Sequence, residues 1–180
     1  MIDFCISLTL KRRFREQRKR LFRMALAWTG DSMLADDLTQ ECLARAWEKR
    51  HHLQEAAKLE AWLFRILHNC WMEHLRRSRP TTGLDEVPPA EEDGPDQRLE
   101  RLQLAQRVRG AVARLPLGQR EVITLVDLEG CRYAEVAEIL EIPLGTVMSR
   151  LSRARRALKA ELLHLRLPEE ERRPLLRRVK

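Results

Sequence analysis

This 180-residue chain lacks most of what a disulfide scaffold, a sheet or a membrane span would need. Its four cysteines, Cys5, Cys42, Cys70 and Cys131, lie far apart and form no C-x-x-C pair. That disfavours a stapled secreted fold and a four-cysteine zinc site, and makes a reducing cytoplasm the expected setting. Aromatic residues make up 5%, with one tyrosine, and β-branched runs are scarce, so strands are not expected. No apolar run approaches twenty residues, so no membrane segment is expected. The apolar start, MIDFCISLTL, has its positive charge after it, the reverse of a secretory signal. A G-x-x-x-x-G-K phosphate loop is missing as well, so no nucleotide-driven step is expected.

Leu, Ala, Arg and Glu dominate what is there, and that composition favours helix almost throughout. Charge is abundant and unevenly placed. Lys and Arg total 34 against 27 Asp and Glu, a net +7, with a pI near 9.7. Residues 11–23 hold basic side chains with Glu16 as their sole acid, and the end of the chain from Arg150 is basic again. Between them, residues 84–100 carry acids opposed by Arg98 alone. Two basic blocks joined by an acidic spacer point to a polyanionic partner.

The pattern predicts helices over residues 11–78, broken at Gly30–Asp31 and again near residues 50–58. Asp31 or Ser32 can cap the second helix, whose inward stripe is Leu34, Leu38, Cys42 and Ala46. Asp37, Gln40, Glu41 and Ala44 then face away. A third helix from Leu59 has Trp62, Leu63, Ile66, Leu67, Cys70, Trp71 and Leu75 on its apolar side. Arg65, Asn69, Glu73 and Arg76 share its polar side. His68, Cys70 and His74 are close in sequence but do not share one helical face, so no metal site is expected. Pro80, Pro88, Pro89 and Pro95, set among acids, mark a flexible linker too poor in large apolar residues to repay its ordering entropy.

Helices resume near Gln97, with a turn at Pro116–Gly118 and a helix from Gln119 to about Leu128. Residues 133–158, YAEVAEILEIPLGTVMSRLSRARRAL, then read as two short amphipathic helices with a tight joint. Val136, Ala137 and Leu140 line the first; Val147, Leu151, Ala154, Leu158 and Leu162 line the second. The second helix turns Thr146, Ser149, Arg153 and Arg156 outward. Such a helix-turn-helix places its second helix in the major groove of DNA.

DDLTQECLARAWEKR (residues 36–50), AWLFRILHNCWMEHLRR (61–77) and LPLGQREVITLVDLEGCRYAEVAEILEIPLGTVMSRLSRARRAL (115–158) together resemble the two domains of an extracytoplasmic-function sigma factor of bacterial RNA polymerase. The resemblance implies an all-α protein of two small helical domains joined by a flexible acidic linker, the second a helix-turn-helix DNA-binding domain. Residues 1–77 would be the polymerase-docking and promoter-melting domain, 78–96 the linker, 97–165 the helix-turn-helix domain and 166–180 a charged tail. It implies a cytoplasmic specificity subunit that is not an enzyme and takes no cofactor. Its partners would be core RNA polymerase, through a coiled coil of the largest subunit, and promoter DNA, both as duplex and as melted non-template strand. Many relatives are held inactive by an anti-sigma protein, so such a partner is a further implication.

Carried over by position, Asp37, Gln40 and Glu41 would dock on polymerase. Lys58, Arg65, Asn69, Arg76 and Arg77 would engage the start-proximal element, with the Asn69 amide able to bond a flipped base. Thr146, Ser149, Arg150, Arg153, Arg155 and Arg156 would engage the upstream element, with Ser149 and Arg153 at base edges and the other arginines on phosphates. The chain departs from the family pattern at three positions. Met148 replaces a basic residue, Arg132 a capping Ser or Thr, and Glu141 the glycine of the helix-turn-helix joint. Three competing readings are a stand-alone helix-turn-helix regulator, a sigma-like decoy that binds core polymerase, and a nuclease built on Asp36, Asp37 and Glu41. The acidic residues Asp85, Glu86, Glu91, Glu92 and Asp93 would let the linker imitate RNA in the transcript channel or fold back on the basic faces.

Overall fold

The computed structural model describes residues 2–53, 55, 58–78 and 107–163, with side chains from Leu10 onward. Every regular element among them is helical. The acidic stretch from residue 79 and the tail expected at 166–180 lie outside the described residues.

Helix α1 (Ile2–Thr29) buries Phe14, Leu21, Met24, Ala25 and Trp28, spaced so that they share one side of the helix. It stops at Gly30, whose φ of 73° only glycine adopts cheaply, and the Gly30 N–H returns to the Leu26 carbonyl at 2.9 Å. Asp31 then caps α2 (Ser32–Glu48), accepting from the N–H groups of Met33 and Leu34 at 2.8 and 3.3 Å. The buried face of α2 is mostly small, with Ala35, Cys42 and Ala46 beside Leu38 and Thr39, which lets α1 come close. A 3₁₀ turn at Arg50–His52 leads toward α3 (Leu59–Arg77).

Helix α3 buries more than the expected stripe. Phe64 and His68 join Leu59, Leu63, Leu67, Cys70 and Trp71 inside. The reason is tertiary: α1 and α2 cover one side of α3, and elements from the second half of the chain cover another.

That second half contains α4 (residues 107–113), α5 (Leu117–Ile123), α6 (Tyr133–Leu140) and α7 (Leu144–Leu163). The Pro116 carbonyl accepts from Gln119 and Arg120, so α5 starts two residues before the expected Gln119. It continues through a wider, π-helical turn to Leu128. At the start of α6 the Glu135 carboxylate accepts from the Arg132 N–H and from its guanidinium, both at 2.8 Å. Half of a capping box is therefore kept; arginine has no acceptor to supply the other half. At the α6–α7 joint Glu141 is left-handed, φ 55° and ψ 44°, the one non-glycine residue with positive φ among the described residues. The Pro143 carbonyl accepts from Thr146 and Val147 and opens α7.

The two halves are packed against each other, α1 on α5 and α3 on α6, and one apolar core runs through both. Polar groups cross the seam. Arg20 Nε donates to Glu129 at 2.8 Å, Arg120 Nη1 donates to the Trp28 carbonyl at 2.5 Å, and Arg65 pairs with Glu141 at 2.5 Å. His68 Nε2 stands 3.6 Å from the Glu121 carboxylate, both side chains buried. Burial pulls the Arg120 guanidinium below its usual pKa. The two modules thus form a closed arrangement in the free chain.

Candidate functional site

Three surface faces carry the candidate residues. The first is on α2, where the apolar stripe forces Asp37 and Gln40 to be exposed and leaves Glu41 half-buried. Gln40 Nε2 donates to Asp36 at 2.6 Å, and Asp36 pairs with Arg18 of α1 at 2.6 Å. Arg45 binds Glu41 at 2.6 Å and chelates Glu73 of α3 at 2.7 and 3.0 Å; Glu73 also accepts from Arg77 at 2.9 Å. Hydrogen bonds from Arg45 hold the Glu73 carboxyl at a pKa of about 2. This network fixes α2 on α3, so the acidic face is presented rigidly. Asp36 and Glu41 are each neutralised by an arginine, which argues against the carboxylate cluster that a metal-dependent nuclease needs.

The second face is on α3. At about 100° per residue, positions 58, 65, 69 and 76 fall within roughly 40° of one another around the helix. Lys58, Arg65, Asn69 and Arg76 are all exposed there. Asn69 makes no hydrogen bond among the described residues, and its amide is available to a ligand. Lys58 pairs locally with Glu55 at 2.9 Å, and Arg76 Nε donates to the Met72 carbonyl at 3.3 Å. Two of the five candidates are engaged elsewhere: Arg77 by Glu73, and Arg65 by Glu141 across the seam. Trp71 is buried and stacks on His74, and Trp62 packs half-buried against the core, so both serve packing here. Gln54, Ala56 and Ala57 of the 51–58 loop lie outside the described residues.

The third face is on α7. Val147, Leu151 and Ala154 are buried against α5 and α6, which turns Ser149, Ser152, Arg153 and Arg156 to the outside. Ser149 Oγ donates to the Thr146 carbonyl at 3.1 Å. The other two arginines of the expected set are tied down. A Cβ added at Gly118 would lie 2.7 Å from Arg150 Nη1, so the Arg150 side chain rests on the glycine surface of α5. Arg155 is held by both oxygens of Asp127, at 2.5 and 3.0 Å, and its pKa is raised by that carboxylate.

Among the described residues no three potential ligands come together as a metal site. His68 faces Glu121, Cys70 is buried with its thiol pKa pushed up to about 11, and His74 meets Ser78. Burial likewise raises the Cys42 thiol, which fits a small core residue. Sequence reasoning missed the seam residues Arg20, Arg120, Glu121 and Glu129. Their one legible signal is charge set beside apolar positions of a helix, as in the EVITL run at residues 121–125.

Comparison with known proteins fits both modules. The sigma-70 region 2 family matches residues 13–81, and the sigma-70, region 4 family matches residues 105–158. The ECF RNA polymerase sigma factor SigM of Mycobacterium tuberculosis is 33% identical over 154 residues, covering 84% of this chain and 76% of SigM. SigE of Mycolicibacterium smegmatis is 32% identical over 151 residues, covering 81% of this chain, which spans only 58% of SigE. In three dimensions the chain resembles the sigma factor RpoE of Bartonella quintana, solved with the anti-sigma factor NepR. That match has a TM-score of 0.70 and 29% identity, and covers 86% of this chain and 97% of RpoE. No described helix is long and apolar enough to cross a membrane. A region 2 module and a region 4 module occur here in one chain and in family order; the chain belongs to the extracytoplasmic-function sigma factors, the promoter-specificity subunits that bind core RNA polymerase and promoter DNA.

Proposed function

We propose that the three faces act together on one promoter. Asp37, Gln40 and Glu41 dock on a coiled coil of the largest polymerase subunit, where an exposed acidic and amide face suits a charged helical partner. Asn69 receives a non-template base turned out of the stack, and Lys58, Arg65, Arg76 and Arg77 hold the neighbouring phosphates. Ser149 and Arg153 read base edges of the upstream element. Arg156 holds phosphate, Thr146 sits in the first turn of α7 where helix N-terminal amides meet one, and Arg150 and Arg155 join once released from Gly118 and Asp127. The domains run 1–77 and 97–165, with 78–96 as tether and 166–180 as tail. The protein catalyses nothing itself and works in the cytoplasm, where polymerase is.

The observation that carries this reading is the exposure of both end faces in the closed chain. Asp37 and Gln40 are exposed on α2, and Ser149 and Arg153 on α7, while Arg65 on the melting face is held by Glu141. Docking and duplex reading can begin before the seam opens; melting needs Arg65 released. The RpoE structure was solved with an anti-sigma factor. By analogy, a partner of that kind would bind this chain.

The test mixes purified protein with core polymerase on a randomised promoter library and sequences the templates that yield run-off RNA. Sequence-dependent transcripts that vanish with Asn69→Ala support the proposal. Binding to core without RNA would leave only a decoy. A specific footprint without core would overturn the proposal in favour of a stand-alone regulator.

A further inference from the structure

The outward side of α7 is not uniformly polar. Met148 is 54% exposed in the middle of its first two turns, and Leu144, one turn earlier, is 48% exposed. Exposed small residues, Gly145, Ser149 and Ser152, surround Met148 on that side, so the thioether chain projects beyond its neighbours. Arg155, two helical turns further along that flank, is paired with Asp127. Around the helix, Met148 and Arg153 stand about 140° apart with Ser149 and Ser152 between them. The face therefore presents one apolar probe and one guanidinium on opposite flanks of a low ridge of serines.

We propose that Met148 is a specificity determinant that packs on the 5-methyl group of thymine in the upstream promoter element. In the major groove that methyl is the one apolar mark, and an apolar side chain beside it distinguishes thymine from every other base. Methionine is unbranched and polarisable, so it adapts to the groove floor where a β-branched residue would not. Geometry sets the register. Five residues of helix separate Met148 from Arg153, about 7.5 Å, and a base pair rises about 3.4 Å. The thymine read by Met148 lies about two base pairs from the position read by Arg153. A lysine here would give affinity for phosphate or guanine; methionine exchanges that for discrimination by shape. This inference rests on α7 being the helix that reads the upstream element.

The test uses holoenzyme, assembled from the full chain and core polymerase, on a promoter duplex recovered from the randomised library. Each thymine of the upstream element is replaced singly by deoxyuridine, which removes the methyl and nothing else. For wild-type protein, one or two such replacements should weaken promoter binding about fourfold each, the equivalent of roughly 0.8 kcal/mol per buried methyl-sized group. The same replacements should change binding less than twofold for Met148→Ala and for Met148→Lys. The Met148→Lys variant should in addition bind with a steeper salt dependence. Indifference of the wild type to every deoxyuridine overturns the proposal, as does equal sensitivity of wild type and Met148→Ala. In either case, continued loss of promoter choice in Arg153→Ala leaves α7 as the reading helix. If Arg153→Ala too leaves promoter choice unchanged, α7 does not read the element and both conclusions fall.

Discussion

Arg20 gives the sharpest test of the closed seam. Its guanidinium, on α1, meets Glu60 at 2.6 Å and Glu129 at 2.8 Å, and lies 5.5 Å from the centre of the Phe64 ring. Burial lowers its pKa, but hydrogen bonds to Glu129 and Glu60 outweigh that and the net shift is upward. Glu129 belongs to the other module and its side chain is only 4% exposed; its second cation, Arg23, is 3.9 Å away. Truncating one partner of a buried pair costs about 3–5 kcal/mol because the other charge stays buried. Arg23 offsets part of this, so Arg20→Ala should cost about 2–4 kcal/mol. Glu129→Ala leaves Arg20 with Glu60 and partial solvent, and should cost about 1–2 kcal/mol. The double variant should recover about 1–3 kcal/mol as coupling. The assay is urea denaturation followed by two probes. All four tryptophans, Trp28, Trp47, Trp62 and Trp71, lie in the first module, whereas circular dichroism reports both. Wild type should unfold in one coincident transition, and Arg20→Ala should show the tryptophan and dichroism curves separating. A coupling energy below about 0.5 kcal/mol would refute the reasoning. It would mean that Glu129 is solvated and that the modules are apart in the free protein.

Glu73, held at about pKa 2 against an ordinary 4.5, contributes stability that is complete above pH 4.5 and fades as pH falls toward 2. Arg45→Ala should return its titration toward 4.5 and remove that acid-side slope, which carbon-13 NMR of the carboxyl would follow; an unmoved titration would refute it. At the α6–α7 joint, Glu141→Gly relieves a left-handed conformation worth about 1–2 kcal/mol. It also loses a half-exposed ion pair of about 0.2–1 kcal/mol and some backbone order. The net change should stay within about 1 kcal/mol of wild type by chemical denaturation, with Glu141→Ala the less stable of the two; the opposite order would argue against this joint geometry. On α7, Arg153→Ala should relax upstream base choice by about 1–3 kcal/mol at one position. Arg156→Ala should weaken binding evenly and lower the salt slope by about 0.9. Equal losses on cognate and scrambled duplexes for both variants would reject that division.

Local features of the chain were legible because they depend on neighbours in sequence. Gly30 and Asp31 end one helix and cap the next, Pro143 opens α7, and stripes such as Val147, Leu151 and Ala154 follow the helical repeat. The misplaced start of α5 had a local cause too, since Pro116 supplied the first turn that Pro116–Gly118 seemed to break. The exposed faces on α2 and α7 follow from the same repeat, because whatever opposes a buried stripe must face out.

Tertiary structure alone decided which outward charges stay available. Arg65, Arg76 and Asn69 share one stripe of α3, yet only Arg65 meets Glu141, seventy-six residues away in sequence. Arg155 and Arg156 both read as phosphate-holding arginines of α7, but Asp127 takes Arg155 and leaves Arg156 exposed. His68 and Glu121 are buried side by side where the two halves meet, a pairing that neither one's sequence neighbours reveal. The sequence by itself determined the helices, their caps and their inward sides, since those follow from dihedral preference and a 3.6-residue repeat. The pairing of charges across modules needed three dimensions, because Coulomb attraction depends on separation in space, and separation along the chain does not predict it.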